Sequence, residues 1–258
     1  MKPQKLHIIA FNVPYPADYG GVIDIYYKIK ALKEAGIGIY LHAYKYGRAE
    51  AQQLEALCEK VYYYERKTLK NPFYGRLPYI VKTRNSNEIL NNLLQDKNPI
   101  LFEGLHSCYY LDHPALKDRK KIVRMHNIEY LYYWNLAKVE NNPLKRIFFY
   151  REAQKLQEFH TVLRHADKVA AISPEEHLHL DVKFNNCFYL PVYHPNDQLQ
   201  SKNGQGDFVF YHGNLAVPEN NEAGLYLINQ VFDDMDQPLV IAGMNPSRAL
   251  KKAAEKNP

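Results

Sequence analysis

The sequence predicts an α/β protein built on a doubly wound parallel sheet, and three observations carry this prediction. Short β-branched or aromatic runs alternate with longer stretches in which apolar residues follow the helical period. Polar, glycine-containing stretches follow several of these runs, where a parallel sheet places its ligand-binding loops. The alternation breaks once, at residues 193–207, and then restarts. The chain is therefore expected to hold two α/β domains.

The first domain is expected to begin with a buried strand at KLHIIAFN, residues 5–12. A helix follows from Val22, because Ile25 and Ile29 lie on one helical stripe and Gly36 stands at a C-cap position. Six further runs are typical of strands, and helical stretches separate nearly all of them. They are residues 37–44, 60–64, 99–104, 120–127, 168–173 and 186–192.

Residues 193–207, YHPNDQLQSKNGQGD, predict a linker, because they are polar and lack apolar periodicity. A second strand, helix, strand, helix unit is expected beyond them, and such a unit is small for a sheet with two apolar faces. The second domain is therefore expected to be incomplete. The predicted organisation is a first domain at 1–192, a linker at 193–207 and the beginning of a second domain at 208–258.

Composition narrows the class of protein. The chain has 258 residues, of which 46% are hydrophobic and 24% charged, as in globular proteins. Its apolar runs are strand-sized, and the first residues lack the apolar core and cleavage site of a signal peptide, so a cytoplasmic location is expected. Cys58, Cys108 and Cys187 are widely spaced, which favours neutral thiols over a disulfide framework or a zinc site.

One segment, residues 60–84, combines positive charge with aromatic side chains. Seven basic residues between Lys60 and Leu90 face only Glu65 and Glu88, and Phe73 and several tyrosines lie among them. Such a segment suits either an anionic membrane surface or a phosphate-bearing acceptor. A solvated face beside a buried strand explains it equally simply. Nucleic-acid binding is disfavoured, because no nucleic-acid motif accompanies the basic residues.

Several motifs, taken in order, carry a resemblance to a known family. They are PYPADYGGVID after the first strand, RMHNIEYLYYWNLAK, KVAAISPEE, FYHGNLAVPENNEAGLYLI and PLVIAGMNPS. In this order they resemble bacterial retaining glycosyltransferases of the GT-B fold, family 4 type, along essentially the whole chain. The resemblance implies two Rossmann-like domains that face each other across a cleft, with the acceptor mainly on the first and the nucleotide-sugar donor mainly on the second. The family's diphosphate-binding Lys or Arg and its glutamate pair have no counterpart before Pro258.

The family resemblance implies an enzyme that moves a sugar from a UDP- or GDP-type donor to a glycan or lipid-linked acceptor in cell-surface polysaccharide biosynthesis. The expected location is the cytoplasm, with contact to the inner face of the membrane through residues 60–84. The nucleotide-sugar is a co-substrate, and no other cofactor is expected. Two alternatives stay open: a non-catalytic module that binds an acceptor or partner, and another GT-B enzyme such as a nucleotide-sugar epimerase.

Candidate site residues lie in the loops after the predicted strands. Gly20 and Gly21 precede a helix, so a donor or acceptor phosphate can approach the helix amides there. Asp18, in the same loop, is a candidate for an acceptor hydroxyl, although it can equally cap the loop's own amides. Asp24 is expected to favour the first turn of the helix through the helix dipole, with no functional role.

His126 ends the IVRM strand and is the candidate catalytic residue, because family members have a histidine in such a position. Either its imidazole bonds the transferred sugar, or its backbone carbonyl faces the anomeric centre. Glu103 and His106, in FEGLHS, are expected on the acceptor side, where Glu103 binds or deprotonates a hydroxyl or merely fixes its loop.

Gly213 and Asn214 follow the first strand of the second domain, where the family has a loop near the donor phosphates. No metal site is expected, because His177 and His179 point to different sides of a helix and no acidic magnesium-type cluster is visible. A retaining outcome by double displacement needs a carboxylate nucleophile. No carboxylate can be identified as this nucleophile from the sequence. The family resemblance therefore favours a front-face reaction in which the leaving phosphate deprotonates the acceptor.

Overall fold

A computed structural model describes residues 4–69 and 71–256 of the chain. The described residues divide into two compact units. The first contains the residues up to Tyr133 together with Tyr150–Asp197, and the second contains Trp134–Phe149 together with the residues from Gln198 onward.

The first unit is built on a seven-stranded sheet in which every neighbouring pair of strands is parallel. The strand order is β3-β2-β1-β4-β5-β6-β7, so each of the seven strands expected from the sequence is confirmed. The strands are β1 Lys5–Ala10, β2 Gly38–Lys45, β3 Lys60–Glu65, β4 Ile100–Glu103, β5 Lys121–Arg124, β6 Lys168–Ala171 and β7 Cys187–Tyr189.

Helices connect these strands along the chain. They are α1 Gly20–Glu34, α2 Gln52–Glu55, α3 Tyr79–Lys82, α4 Asn87–Leu93, α5 Glu129–Val139, α6 Pro143–Phe159 and α7 Pro174–Phe184, with short 3-10 helices at Leu105–Tyr110, Pro114–Leu116 and His160–His165. The predicted apolar stripe of α1 packs on β1 and β2, where Ile25 and Ile29 are fully buried against Ile8 and Leu41. None of the helices within residues 4–69 and 71–256 has the length and apolar character needed to cross a lipid bilayer.

The strand order reverses direction at β1, because β2 lies on one side of it and β4 on the other. Ligands of open parallel α/β sheets bind outside the carboxyl ends of the strands at such a switch point. The loops after β1 and β4 are therefore the first place to look for a site.

A buried chain of hydrogen bonds joins three strands of the first unit away from that edge. His7 Nε2 lies 3.0 Å from Asp96, His7 Nδ1 lies 2.8 Å from His42 Nε2, and His42 Nδ1 lies 2.8 Å from the Tyr64 hydroxyl. Asn92 donates to that hydroxyl. With both imidazoles neutral, His7 Nε2–H donates to Asp96, His42 Nε2–H donates to His7 Nδ1, and the Tyr64 hydroxyl donates to His42 Nδ1, so each hydrogen bond has a donor and an acceptor. Burial lowers the pKa of both histidines.

Because both histidines are buried, we expect the protein to become less stable as the pH falls below about 6.5, the ordinary pKa of histidine. Because the unfolded chain takes up protons that the folded protein excludes, stability is fully present above that pH and decreases below it, by about 1–3 kcal/mol per pH unit. Urea unfolding between about pH 5 and 7.5 measures how steeply the free energy of unfolding changes with pH. The variant His42→Leu lacks one of the two titrating groups, so its free energy of unfolding is expected to change less steeply. Equal slopes in both proteins would contradict the expectation.

The second unit contains a parallel pair of strands, β8 Val209–His212 and β9 Leu239–Ala242. Helix α8, Pro218–Tyr226, continues as a π-helical turn, Leu227–Val231, and α9 spans Arg248–Lys256. Leu215, Ile228 and Leu250 form its core. These elements follow the predicted strand, helix, strand, helix order.

Candidate active site

A cluster of charged side chains fills the carboxyl edge of the first sheet at the switch point. Asp24 and Lys28 come from α1, which follows β1, while Glu103 is the last residue of β4 and Arg124 the last residue of β5. His126 follows two residues after β5. All five side chains are buried, and three of them are fully inaccessible to solvent: Asp24, Glu103 and Arg124.

Lys28 joins the two carboxylates of this cluster. Its Nζ donates to Asp24 Oδ2 at 3.0 Å and to both oxygens of Glu103 at 2.8 and 3.0 Å. Because Asp24 and Lys28 are four residues apart on one helix, they share the helix face that also carries Ile25. The ammonium group therefore connects α1 to the end of β4.

Arg124, the last residue of β5, connects this strand to the same helix and to the segment that follows β7. Its guanidinium donates to both oxygens of Asp24 at 3.1 and 3.3 Å, and also to the carbonyls of Leu190 and Pro191. The backbone N–H of Tyr193 donates to Asp24 Oδ1 at 2.8 Å. Tyr193, the first residue of the predicted linker, is thereby held against the cluster.

His126 is held between the two carboxylates. Its Nε2 lies 2.9 Å from Glu103 Oε2, and its Nδ1 lies 3.9 Å from Asp24 Oδ2. Since Glu103 also accepts from Lys28, it is ionised, and His126 Nε2 is the donor. Both ring nitrogens thus face the interior of the cluster, which fixes the ring and the backbone that carries it.

The charges of the cluster set the ionisation of its acids. Burial disfavours the charged form of Asp24, but Lys28, the Tyr193 amide and Arg124 outweigh it and lower the pKa of that carboxyl. Burial likewise opposes ionisation of Glu103, and Lys28 and His126 together lower its pKa. The cluster therefore holds two carboxylates against two cations at neutral pH.

Asp24, Glu103 and His126 bring one potential metal-ligand atom each within 4.8 Å of the others. Lys28 Nζ, however, already bonds both carboxylates. A metal cation at that position would lie against the ammonium group and the guanidinium of Arg124, which disfavours it electrostatically. The donor set fits an ion-pair network better than a metal centre.

Phe11 packs between the two histidines that the sequence analysis selected. The centroid of its ring lies 5.1 Å from that of His106 and 5.3 Å from that of His126. Gly104 makes this arrangement possible, because it follows Glu103 with a φ of +69°, which favours glycine. The structure thus brings Glu103, His106 and His126 together.

The start of α1 approaches Phe11 from the other side. A Cβ built on Gly21 would lie 2.7 Å from Phe11 Cζ, whereas one on Gly20 would meet nothing within 4 Å. Tyr19, the N-cap residue, provides no side-chain cap. The glycines therefore differ: Gly21 is required by packing, while Gly20 borders open space.

We expect Gly21→Ala to destabilise the protein by about 1–3 kcal/mol, because the new methyl group must displace the buried ring of Phe11. Gly20→Ala is the matched control, and it is expected to be neutral or stabilising by up to about 1 kcal/mol. Chemical unfolding of both variants measures the difference. Equal stabilities of the two variants would show that Phe11 moves without cost.

The remaining candidate residues lie elsewhere. The Asp18 carboxylate is ion-paired with Arg48 on the surface and makes no contact with the Asp24 cluster among the described residues. Gly213 and Asn214 lie in the second unit, in the turn between β8 and α8, where Asn214 accepts from the Ala216 amide at 3.1 Å. Phosphate, donor or acceptor binding at these positions stays a prediction.

Sequence reasoning missed four buried charged residues of this region. Asp24 was assigned to the helix dipole, while Lys28, Arg124 and Glu129 were not selected as site residues. A signal was present, because Asp24 and Lys28 interrupt an apolar helix stripe and Arg124 interrupts the apolar run IVRM. Charged residues are rarely buried unless they are paired.

Comparisons with solved structures address the fold. The chain is similar to Medicago truncatula UGT71G1 complexed with UDP-glucose, with 8% identity and a TM-score of 0.57, covering 99% of this chain and 69% of that one. Arabidopsis thaliana UGT89C1 complexed with UDP-L-rhamnose gives 12% identity and a TM-score of 0.52, with coverage of 99% and 69%. The chain has a GT-B type α/β fold. The family 4 assignment goes beyond this likeness, and no protein-family profile matches the sequence.

A UDP-glucosyltransferase from Polygonum tinctorium capable of glucosylating indoxyl also shares the GT-B fold, with 10% identity, a TM-score of 0.53, and coverage of 98% and 69%. One curated relative matches by sequence. It is an uncharacterized 44.6 kDa protein in the cps region of Klebsiella pneumoniae, 29% identical over 271 residues, which cover 96% of this chain and 68% of the relative.

Proposed function

We propose that the protein is a glycosyltransferase that moves a sugar from a nucleotide-sugar donor to a hydroxyl of a glycan or lipid-linked acceptor. The observation that carries this proposal is the buried cluster that holds His126 at the switch point of a GT-B sheet. The solved structures with UDP-glucose and UDP-L-rhamnose support a nucleotide-sugar as the donor. We propose UDP or GDP as the nucleotide.

His126 acts in this proposal through its backbone rather than through its ring. Its ring nitrogens face Glu103 and Asp24, so the imidazole is not available as a base for an acceptor hydroxyl. The cluster instead fixes the segment after β5, and the His126 carbonyl faces the anomeric centre. A fixed dipole at that point stabilises positive charge that develops on the sugar ring in the transition state.

We propose retention of configuration by a front-face reaction. The bond between the anomeric carbon and the leaving phosphate oxygen breaks, a bond to the acceptor oxygen forms on the same face, and the acceptor proton passes to the leaving phosphate. The amides at the start of α1, next to Gly20 and Gly21, stabilise the phosphate charge. No carboxylate of the cluster is free to act as a nucleophile, because Asp24 and Glu103 are both ion-paired and buried.

The acceptor is proposed to belong to cell-surface polysaccharide assembly, which the cps-region location of the Klebsiella pneumoniae relative supports. Residues 60–84 are the proposed contact with the anionic inner face of the membrane. Leu69, Phe73 and Tyr74 are exposed there next to Arg76. Sedimentation with anionic vesicles tests this contact, and binding that persists in Leu69→Ser/Tyr74→Ser would argue against it.

Calorimetric titration with UDP, GDP and their sugar conjugates tests the proposed function. It is applied to this chain and to the chain extended past Pro258 with the corresponding part of the Klebsiella pneumoniae relative. We expect one nucleotide to bind and its sugar conjugate to give a glycosylated product, detected by mass spectrometry. If no nucleotide binds to either protein, the proposal fails and a non-catalytic acceptor-binding role is favoured.

A further inference from the structure

Glu129 and His106 form a buried polar pair beside the cluster. Glu129 Oε1 and His106 Nδ1 lie 3.7 Å apart, both are out of contact with solvent, and neither has a hydrogen-bond partner among the described residues. Two unpaired buried polar atoms cost free energy, and such atoms commonly mark a functional site.

The backbone brings these two side chains together. Glu129 is the first residue of α5, three positions after His126, and His106 lies in the 3-10 helix that follows Gly104. A Cβ on Gly104 would lie 3.0 Å from His106 Nδ1, so glycine lets the ring sit directly over the chain. The pair therefore lies between the ends of β4 and β5, next to Phe11.

The surrounding charges determine where the proton resides. Burial raises the pKa of Glu129 to about 8, with Asn127 and Arg84 opposing the rise and Glu176 adding to it. Burial, then Arg84, His126 and Arg66, lower the pKa of His106 well below its ordinary value. At neutral pH the carboxyl is therefore protonated and the imidazole is neutral.

The other side of the His106 ring reaches the surface. The side chain keeps 20% of its surface exposed although Nδ1 is buried. Its Nε2 has no hydrogen-bond partner within the described part of the chain. The ring thus spans from the buried carboxyl of Glu129 to the open edge of the sheet.

We infer that Glu129 is a positioning residue whose carboxyl donates to His106 Nδ1 and so holds His106 with Nε2–H directed at an acceptor hydroxyl oxygen. Closing the separation by roughly 1 Å forms this hydrogen bond. When Glu129 donates to His106 Nδ1, that nitrogen is the acceptor. The single N–H of the neutral imidazole then lies on Nε2. The inference rests on the proposed function for the identity of the ligand. The tautomer of His106, by contrast, is a property of the protein alone.

Long-range ¹H–¹⁵N correlation spectra of the chain labelled with ¹⁵N-histidine test this tautomer at neutral pH, with His106→Gln assigning the resonances. We expect the Nε2–H form in the wild type and in Glu129→Gln, whose amide also donates. Glu129→Leu is expected to give a mixture of both tautomers. Glu176→Gln is the control, because Glu176 is a neighbouring half-buried carboxyl that does not contact His106 among the described residues, and it is expected to leave the tautomer unchanged.

An Nδ1–H form in the wild type, or an unchanged spectrum in Glu129→Leu, would overturn the inference. Where the wild type transfers sugar, Glu129→Leu is expected to raise the acceptor KM about 10-fold with kcat nearly unchanged, the loss of one hydrogen bond, and Glu129→Gln to restore it. An unchanged KM contradicts the acceptor contact. A wild type that transfers no sugar refutes the proposed function, while the spectra still decide the positioning role.

Discussion

Replacing Lys28 with methionine is expected to lower the free energy of unfolding by about 3–5 kcal/mol. Methionine preserves the length and most of the volume of the side chain, so packing changes little. The Nζ atom that bonds Asp24 and Glu103 is lost, and two inaccessible carboxylates then share only Arg124, His126 and the Tyr193 amide. An unpaired buried charge is costly because no solvent replaces the missing partner.

Lys45→Met is the matched control for this experiment. Lys45 Nζ also bonds two carboxylates, Glu50 at 3.3 Å and Glu65 at 2.8 Å, but both acids are exposed. Solvent therefore screens the charges that the substitution leaves behind, and little change is expected. Urea unfolding at pH 7 compares the two variants. A loss of similar size in both would mean that burial of the cluster does not determine its contribution.

Glu103→Gln is expected to reduce the rate of sugar transfer about 100-fold, the scale of a small misplacement at a reacting centre. The neutral amide cannot balance Lys28, and it cannot accept from Lys28 and His126 as a carboxylate does. The ring of His126 is then free to turn, and the backbone after β5 loses its fixed position. Initial rates at saturating donor and acceptor measure the effect, so that kcat is separated from binding.

Asp96→Asn controls for general destabilisation in the transfer experiment. Asp96 is also a carboxylate bonded by a buried histidine, His7, at 3.0 Å, but it lies in the separate hydrogen-bond chain of β1, β2 and β3. We expect this variant to lose stability and to keep its kcat. If both variants lose activity in proportion to their stability, Glu103 has no specific role in transfer.

The first unit could be predicted closely from the sequence. Each expected strand forms, because a strand of a parallel sheet is buried on both faces and so leaves a short apolar run in the sequence. The predicted and observed ends of the strands differ by up to three residues. The predicted strand at 120–127, for example, corresponds to β5, which ends at Arg124. The apolar run continues in sequence, but Arg124 is the last residue paired in the sheet, its side chain bonds Asp24, and the chain then turns into the site.

The candidate site could be predicted only in part. Glu103 and His126 were selected because they stand at strand ends, and the structure places them 2.9 Å apart. Asp24 was rejected, because an acid in the first turns of a helix is favoured by the dipole whether or not it has a function. Its actual partners include Arg124, 100 positions away in the chain, and no local pattern reports such a contact.

By itself, the sequence determined which segments are strands and helices, and that ligand-binding loops lie at their carboxyl ends, because periodicity and turn residues are local properties. The tertiary structure decided which charges meet. It pairs Asp24 and Glu103 with Lys28 and Arg124, directs both nitrogens of His126 inward, and leaves Glu129 facing His106. Ionisation depends on burial and on neighbours distant in sequence, and both exist only once the chain is folded.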